Sequence, residues 1–188
     1  MIDTFLFYLN LGCTHVLDVE GLDHFYFSAA LSLPFAFSDW KKLLFWVTLF
    51  TLGHSFSLLG NYHAGFRFSS YWIELLIPIT IALSCVPLLL GRLPKTGLFS
   101  AVITFVYGCI HGLGFGRYFS MMVEPENATM GLFSFALGVE IAQLLIVSIA
   151  LFMNTGLLWV YPKGVAYWHR GVGIFIFLMA MYMILERI

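Results

Sequence analysis

The chain has 188 residues, of which 61% are hydrophobic and only 10% are charged. A soluble domain carries roughly 25% charged residues, so this composition excludes a soluble protein and indicates one that lies in a lipid bilayer. The formal net charge of −1, with no block of Lys or Arg, also excludes nucleic acid as a partner, because phosphate binding needs clustered basic residues.

The first element is an apolar segment over residues 4–16, which the charged residues Asp18, Glu20 and Asp23 follow closely. A helix of about 13 residues is too short to cross a hydrocarbon layer of about 30 Å. We therefore expect a re-entrant or interfacial half-helix here. The non-helical backbone that follows such a helix must be covered by protein or line a water-filled cavity if it lies within the membrane.

Six longer and mostly apolar stretches follow, each near the roughly 20 apolar residues that a membrane-spanning helix needs. Segments with charged residues, Gly and Pro separate them and are typical of loops. The predicted spans cover residues 22–37, 41–61, 69–90, 96–119, 130–153 and 165–185. The sequence therefore predicts an all-α membrane protein in which residues 1–188 form a single integral membrane domain of six transmembrane helices behind the N-terminal half-helix.

The distribution of Lys and Arg predicts the orientation, because cytoplasmic loops carry an excess of both. The loops after the first, third and fifth spans, with the adjoining helix ends, contain Lys41, Lys42, Arg92, Lys95, Lys163 and Arg170. The opposite side contains Arg67, Arg117 and Arg187. We therefore expect an integral protein of the bacterial inner membrane with both termini in the periplasm.

Ionisable and amide side chains interrupt the predicted spans, where each costs a few kcal/mol unless it has a partner. They are Asp23, His24, His54, Glu74, His111, Glu140 and Gln143, with His15 and Asp18 just before the first span. At 1.5 Å per helical residue, the His and Glu residues of the second to fifth spans lie about 7 to 15 Å below the outer surface. A single buried His or carboxyl group is usually a hydrogen-bonded core residue, but unrelated core residues have no reason to share a depth, whereas ligands of one site must.

The composition of this set predicts the ligand. Imidazoles with carboxylates and no thiolate favour a divalent first-row transition metal such as nickel, cobalt, zinc or iron. The three cysteines lie in apolar sequence without metal-ligand spacing, so we expect them to pack. Ser55 beside His54, and Gln143 three residues after Glu140, are placed to donate or accept hydrogen bonds around such a site.

Taken in order, these motifs resemble the HupE/UreJ family of small membrane proteins, which are regarded as nickel/cobalt permeases. The resemblance extends over nearly the whole chain and rests on LGCTH (11–15), GLDHF (21–25), FTLGHSFSL (50–58), IELLI (73–77), HGLGF (111–115) and GVEIAQ (138–143). It implies that the metal ligands are His15, Asp23, His24, His54, His111 and Glu140, with Gln143 beside Glu140. From their positions in the sequence we also expect Asp18, Ser55 and Glu74 around these ligands. Five residues rather than the family's three separate His15 from Gly21, so Asp18 and Glu20 are also candidates at that position.

Three functions fit these observations. The first is a permease that captures a divalent transition-metal ion in the outer half of the bilayer and releases it inward. The second is an intramembrane metal-dependent hydrolase or transferase, in which the metal activates water and Glu140 or Glu74 acts as the general base. The third is a metal-binding accessory subunit, in a homo-oligomer or a larger membrane complex. We favour transport, with nickel, cobalt or zinc as the ion and the lipid bilayer as the surroundings.

Overall fold

The computed structural model describes residues 2–19, 21–64, 68–91 and 97–188. Within these ranges the chain is helical and contains no strand. Its helices are α1 (Ile2–Leu17), α2 (Asp23–Ser32), α3 (Trp40–Ala64), α4 (Ser70–Leu89), α5 (Leu98–Met122), α6 (Ala128–Val160) and α7 (Val165–Glu186). Glu20, Arg67, Arg92 and Lys95, which entered the sequence predictions, lie outside the described residues.

Five of the helical stretches are long and apolar enough to cross a membrane, which confirms the expected class of helical membrane protein. They are Phe37–Ala64, Ser70–Leu89, Leu98–Met122, Pro125–Val160 and Val165–Glu186. Helix α6 extends past the predicted end at residue 153, because the sequence contains no residue that interrupts it before Pro162. The residue before that proline, Tyr161, has left the helical conformation.

The first two helices are shorter than a membrane span. The segment over residues 4–16 lies in α1, a continuous helix of 16 residues, and its re-entrant or interfacial placement stays a prediction. The predicted span over residues 22–37 is helical only from Asp23 to Ser32. Pro34 explains this early end, since proline has no backbone N–H to continue the hydrogen-bond ladder and its ring crowds the carbonyl of the preceding turn.

Asn154 of α6 forms hydrogen bonds to the backbone just after the end of α2. Its side-chain amide is 1% exposed and donates hydrogen bonds to the carbonyl oxygens of Leu33, at 2.6 Å, and Phe35, at 3.1 Å. Its own oxygen accepts a hydrogen bond from the indole of Trp168 at 3.1 Å. The protein itself therefore supplies hydrogen-bond donors to these two carbonyl groups beyond the end of α2, as backbone inside a membrane requires.

Two close helix pairs orient the faces that carry the histidines. A Cβ atom at Gly108 of α5 would overlap the carbonyl oxygen of Phe50 on α3, and one at Gly138 of α6 would overlap that of Leu9 on α1. Glycine at such contacts lets two helix backbones approach closely. His111 lies three residues after Gly108 and therefore on the same face of α5, which turns it toward α3.

Candidate metal centre

Four histidines from four different helices meet inside the bundle. They are His15 on α1, His24 on α2, His54 on α3 and His111 on α5. The ring of His24 is central, with its centroid 4.7 Å from that of His15, 5.4 Å from His54 and 5.2 Å from His111. Residues separated by up to 96 positions in the sequence are thus brought to one point.

The described residues form two overlapping sets of possible metal ligands. His15, His24 and His54 make the first, and Asp23, His24 and His111 the second. Within each set, one ligand atom per residue lies within 4.8 Å of the others. Because both sets contain His24, they are two neighbouring positions that share an imidazole.

The ring nitrogens of this cluster are buried and largely without partners. His24, His54 and His111 are each at most 1% exposed. Buried nitrogen atoms without a hydrogen-bond partner are Nε2 of His15, Nε2 of His24, both ring nitrogens of His54 and Nδ1 of His111. Each unsatisfied buried polar atom costs about 1–3 kcal/mol, so five at one place are an arrangement that protein folding alone does not favour.

Hydrogen bonds set the tautomer of two of these rings. Nδ1 of His24 donates to Oδ1 of Asp23 at 3.1 Å, and the same oxygen accepts from the His24 backbone N–H at 2.9 Å. The hydroxyl of Thr80 donates its only proton to the carbonyl oxygen of Ile77 at 2.7 Å, so it accepts from Nε2 of His111 at 3.0 Å. In both histidines the remaining nitrogen, Nε2 of His24 and Nδ1 of His111, therefore keeps its lone pair and is one of the atoms without a partner.

Aromatic rings enclose the cluster. The centroid of Phe115 lies 4.2 Å from that of His15, and the centroid of Phe50 lies 5.1 Å from that of His111. Phe27 is 2% exposed and stacks on Phe50 with a centroid distance of 4.4 Å. An apolar shell of this kind limits the access of water and favours neutral imidazoles, which is the form that binds metals.

Glu140 belongs to neither set among the described residues. Its carboxyl group accepts hydrogen bonds from the hydroxyl of Thr48, at 2.6 Å, and that of Thr51. Thr51 also bonds to the side-chain oxygen of Gln143 at 2.9 Å. Glu140 and Gln143 thus share a helix face, as the sequence indicated. That face lies against α3. The role of Glu140 as a metal ligand stays a prediction.

Glu74 lines a separate cavity of about 570 Å³ at the adjoining ends of α3, α4 and α5. Asn61, Arg117 and Ser120 also line it. Asp18 is exposed just after the end of α1. Neither carboxylate belongs to the two ligand sets.

Ser55 lies in a groove between α3 and α6, together with Glu140. Its buried hydroxyl has no hydrogen-bond partner within the part of the chain that the structure describes.

The threonines that support the site were not predicted from the sequence. Thr48, Thr51 and Thr80 are ordinary residues in membrane helices, where their hydroxyls usually bond to the carbonyl of the preceding turn. The available signal was spacing, since Thr51 precedes His54 by three residues and therefore shares a face of α3 with it.

The sequence profile of a family described as HupE / UreJ protein matches residues 1–187. No curated protein and no solved structure matched the chain. The family match covers all four histidines of the cluster and Asp23.

Proposed function

Since the chain belongs to the HupE/UreJ family, we propose that it binds a divalent transition-metal ion within the membrane and transports it. The family is associated with nickel and cobalt transport. The observation that carries the proposal is the pair of ligand sets around His24, with five buried ring nitrogens that lack partners. Neutral imidazoles suit nickel, cobalt and zinc, and the single carboxylate of the sets, Asp23, supplies a negative charge.

The overlap of the two sets supports movement of the ion rather than permanent retention. Permeation requires binding that is favourable enough for entry and weak enough for exit, which neighbouring sites achieve. An ion held by His15, His24 and His54 can exchange ligands for Asp23 and His111 while His24 remains bound. A single closed set of four ligands would instead favour a structural site.

The cavity lined by Glu74 is our candidate for the entrance. It includes Gly114, three residues along α5 from His111, and Asn61, seven residues along α3 from His54. At 1.5 Å per residue these are about 5 and 10 Å along the helix axes. The excess of Lys and Arg at the opposite ends of the helices supports an entrance on the periplasmic side of a bacterial inner membrane.

The test is uptake of nickel or cobalt into sealed proteoliposomes that contain a metal-sensitive dye. His54→Ala removes a ligand of the first set only, and His111→Ala one of the second set only. His63→Ala is the matched control, because His63 is exposed at the end of α3. We expect each cluster variant to lower flux by about 10–100-fold, comparable with the effect of disturbing a metal ligand's surroundings, and the control to leave it unchanged.

The same preparation distinguishes the alternatives. Metal that is retained stoichiometrically without flux would contradict transport and support the hydrolase or accessory-subunit hypothesis. Flux that is unchanged in both cluster variants would show that the ion crosses elsewhere.

A further inference from the structure

The cavity that Glu74 lines has the size and the walls of a site for an organic molecule. Its volume is about 570 Å³, within the range of about 300–1,000 Å³ that is typical of small-molecule sites. A metal ion with six bound waters fills about 180 Å³, at about 30 Å³ per water. Aromatic and aliphatic side chains form part of the wall, and they are Tyr62, Phe68, Ile73, Leu113 and Met121. Such surfaces contribute to the binding of a carbon skeleton and not to that of a hydrated ion.

Two side chains of opposite charge line this cavity without forming an ion pair. Glu74 lies one turn into α4, and Arg117 lies near the end of α5. Both are exposed. Among the described residues, neither has an oppositely charged side-chain atom within 4.0 Å. The carboxylate and the guanidinium are therefore both available to a bound ligand.

A second guanidinium adjoins the cavity. The side chain of Arg187, just after the end of α7, donates a hydrogen bond to the backbone carbonyl oxygen of Glu74 rather than to its carboxylate. Cation channels are lined by rings of Asp or Glu, whereas Arg and Lys are typical of anion pores. Guanidiniums at this place repel a bare divalent cation and attract a complex whose outer groups are negative.

We propose that this cavity binds a divalent metal ion held in a complex with a small carboxylate-bearing chelator, and that the ion passes from this complex to the imidazole cluster. The proposal rests on the proposed function and names the form in which the ion arrives. Arg117 binds a carboxylate group of the chelator, because the guanidinium fork matches two carboxylate oxygens. Glu74 faces the ion, for which a carboxylate oxygen is a suitable ligand.

The transfer of the ion needs no proton and no redox partner. Glu74 precedes Thr80, the hydrogen-bond partner of His111, by six residues of α4, which is about 9 Å along the helix axis. The ion exchanges metal–oxygen bonds to the chelator for metal–nitrogen bonds to the cluster, where Nε2 of His24 and Nδ1 of His111 keep their lone pairs. The chelator then leaves outward with its carboxylates ionised.

Binding of the chelator is tested first without metal, by isothermal titration of the full chain in detergent with citrate. Arg117→Gln removes the guanidinium, and Arg117→Lys keeps the charge but not the fork. Arg170→Gln is the matched control, because Arg170 is exposed on α7 and does not line the cavity. We expect Arg117→Gln to raise the dissociation constant for citrate by about 10-fold, Arg117→Lys to raise it less, and the control to leave it unchanged.

Passage of the ion is tested by uptake into sealed proteoliposomes that contain a nickel-sensitive dye. Nickel is supplied outside as its citrate complex or as its ethylenediamine complex, which has no carboxylate, at equal concentrations of free nickel. A carrier of the free ion transports nickel equally fast from both. We expect several-fold faster uptake from the citrate complex, and Arg117→Gln should abolish this difference. Glu74→Gln should slow uptake from the citrate complex without weakening the binding of metal-free citrate.

Each outcome decides one part of the proposal. Absence of citrate binding by folded wild-type protein, or equal binding by Arg117→Gln, would overturn the chelator site. Equal uptake from the two complexes would show that the free ion enters, which overturns the proposal and leaves the proposed function supported. Citrate binding that depends on Arg117, without nickel flux from either complex, would count against the proposed function and not against the chelator site. Uptake from the citrate complex at the wild-type rate in Glu74→Gln would overturn the role of that carboxylate.

Discussion

Replacement of Asp23 by Asn tests the electrostatics of the metal centre with the least change of shape. Oδ1 of Asp23 accepts hydrogen bonds from both the backbone and the ring of His24. Asparagine has an oxygen in the same place and can accept both, so His24 should keep its orientation. What the variant loses is the negative charge.

The size of the effect follows from the surroundings of that charge. Asp23 is the sole carboxylate of the two ligand sets in the described residues, and its side chain is 17% exposed beside a fully enclosed imidazole. Carboxylates that hydrogen-bond to a metal-binding His typically contribute about 10–100-fold to metal affinity. In free energy of binding this is about 1.4–2.7 kcal/mol.

The assay is isothermal titration of detergent-purified protein with nickel, and its readout is the dissociation constant. Asp39→Asn is the matched control, since Asp39 pairs with Lys42 at 2.7 Å at an exposed position near the start of α3. We expect Asp23→Asn to raise the dissociation constant for nickel by about 10–100-fold. The dissociation constant of the control should not change. An unchanged dissociation constant in Asp23→Asn would refute the conclusion that this charge assists metal binding.

Two further predictions concern the packing that builds the site, both measured as thermal stability in detergent. Gly108→Ala should destabilise the protein by about 1–3 kcal/mol, because its Cβ has no room beside the backbone of α3, whereas Gly156→Ala, with nothing within 4 Å, should be neutral or slightly stabilising. Equal melting temperatures for the two variants would contradict the close approach of α3 and α5. Asn154→Ala should cost about 1–3 kcal/mol for the buried backbone oxygens that it leaves without donors, while Asn127→Ala, which removes only an exposed hydrogen bond, should have little effect. A melting temperature of Asn154→Ala equal to that of the wild type would show that the end of α2 is satisfied in another way.

The depth of the functional residues could be predicted from the sequence, but their direction around each helix could not. Depth follows from the fixed rise of 1.5 Å per residue once the helix ends are known, and the rings of His54 and His111 both lie next to the ring of His24. Glu140 satisfied the same criterion of depth and yet lies in a groove beside α3. Its direction is set by the contact of Gly138 with the backbone of α1, a tertiary contact that no local pattern reveals.

The early end of α2 has a similar origin and a larger consequence for the site. Apolar composition over residues 22–37 is compatible with a full span, but Pro34 and the donor groups of Asn154, some 120 residues away in sequence, end the helix at Ser32. Asp23 and His24 lie in the first turn of this ten-residue helix, where the ring of His24 is next to those of His54 and His111. The N-terminal end of a helix carries a partial positive charge, which favours an ionised Asp23 there. Asn154 thus anchors the far end of the helix that carries the central imidazole and the carboxylate of the ligand sets. This is why we expect substitutions at Asn154, which is in neither ligand set, to weaken metal binding as well as stability.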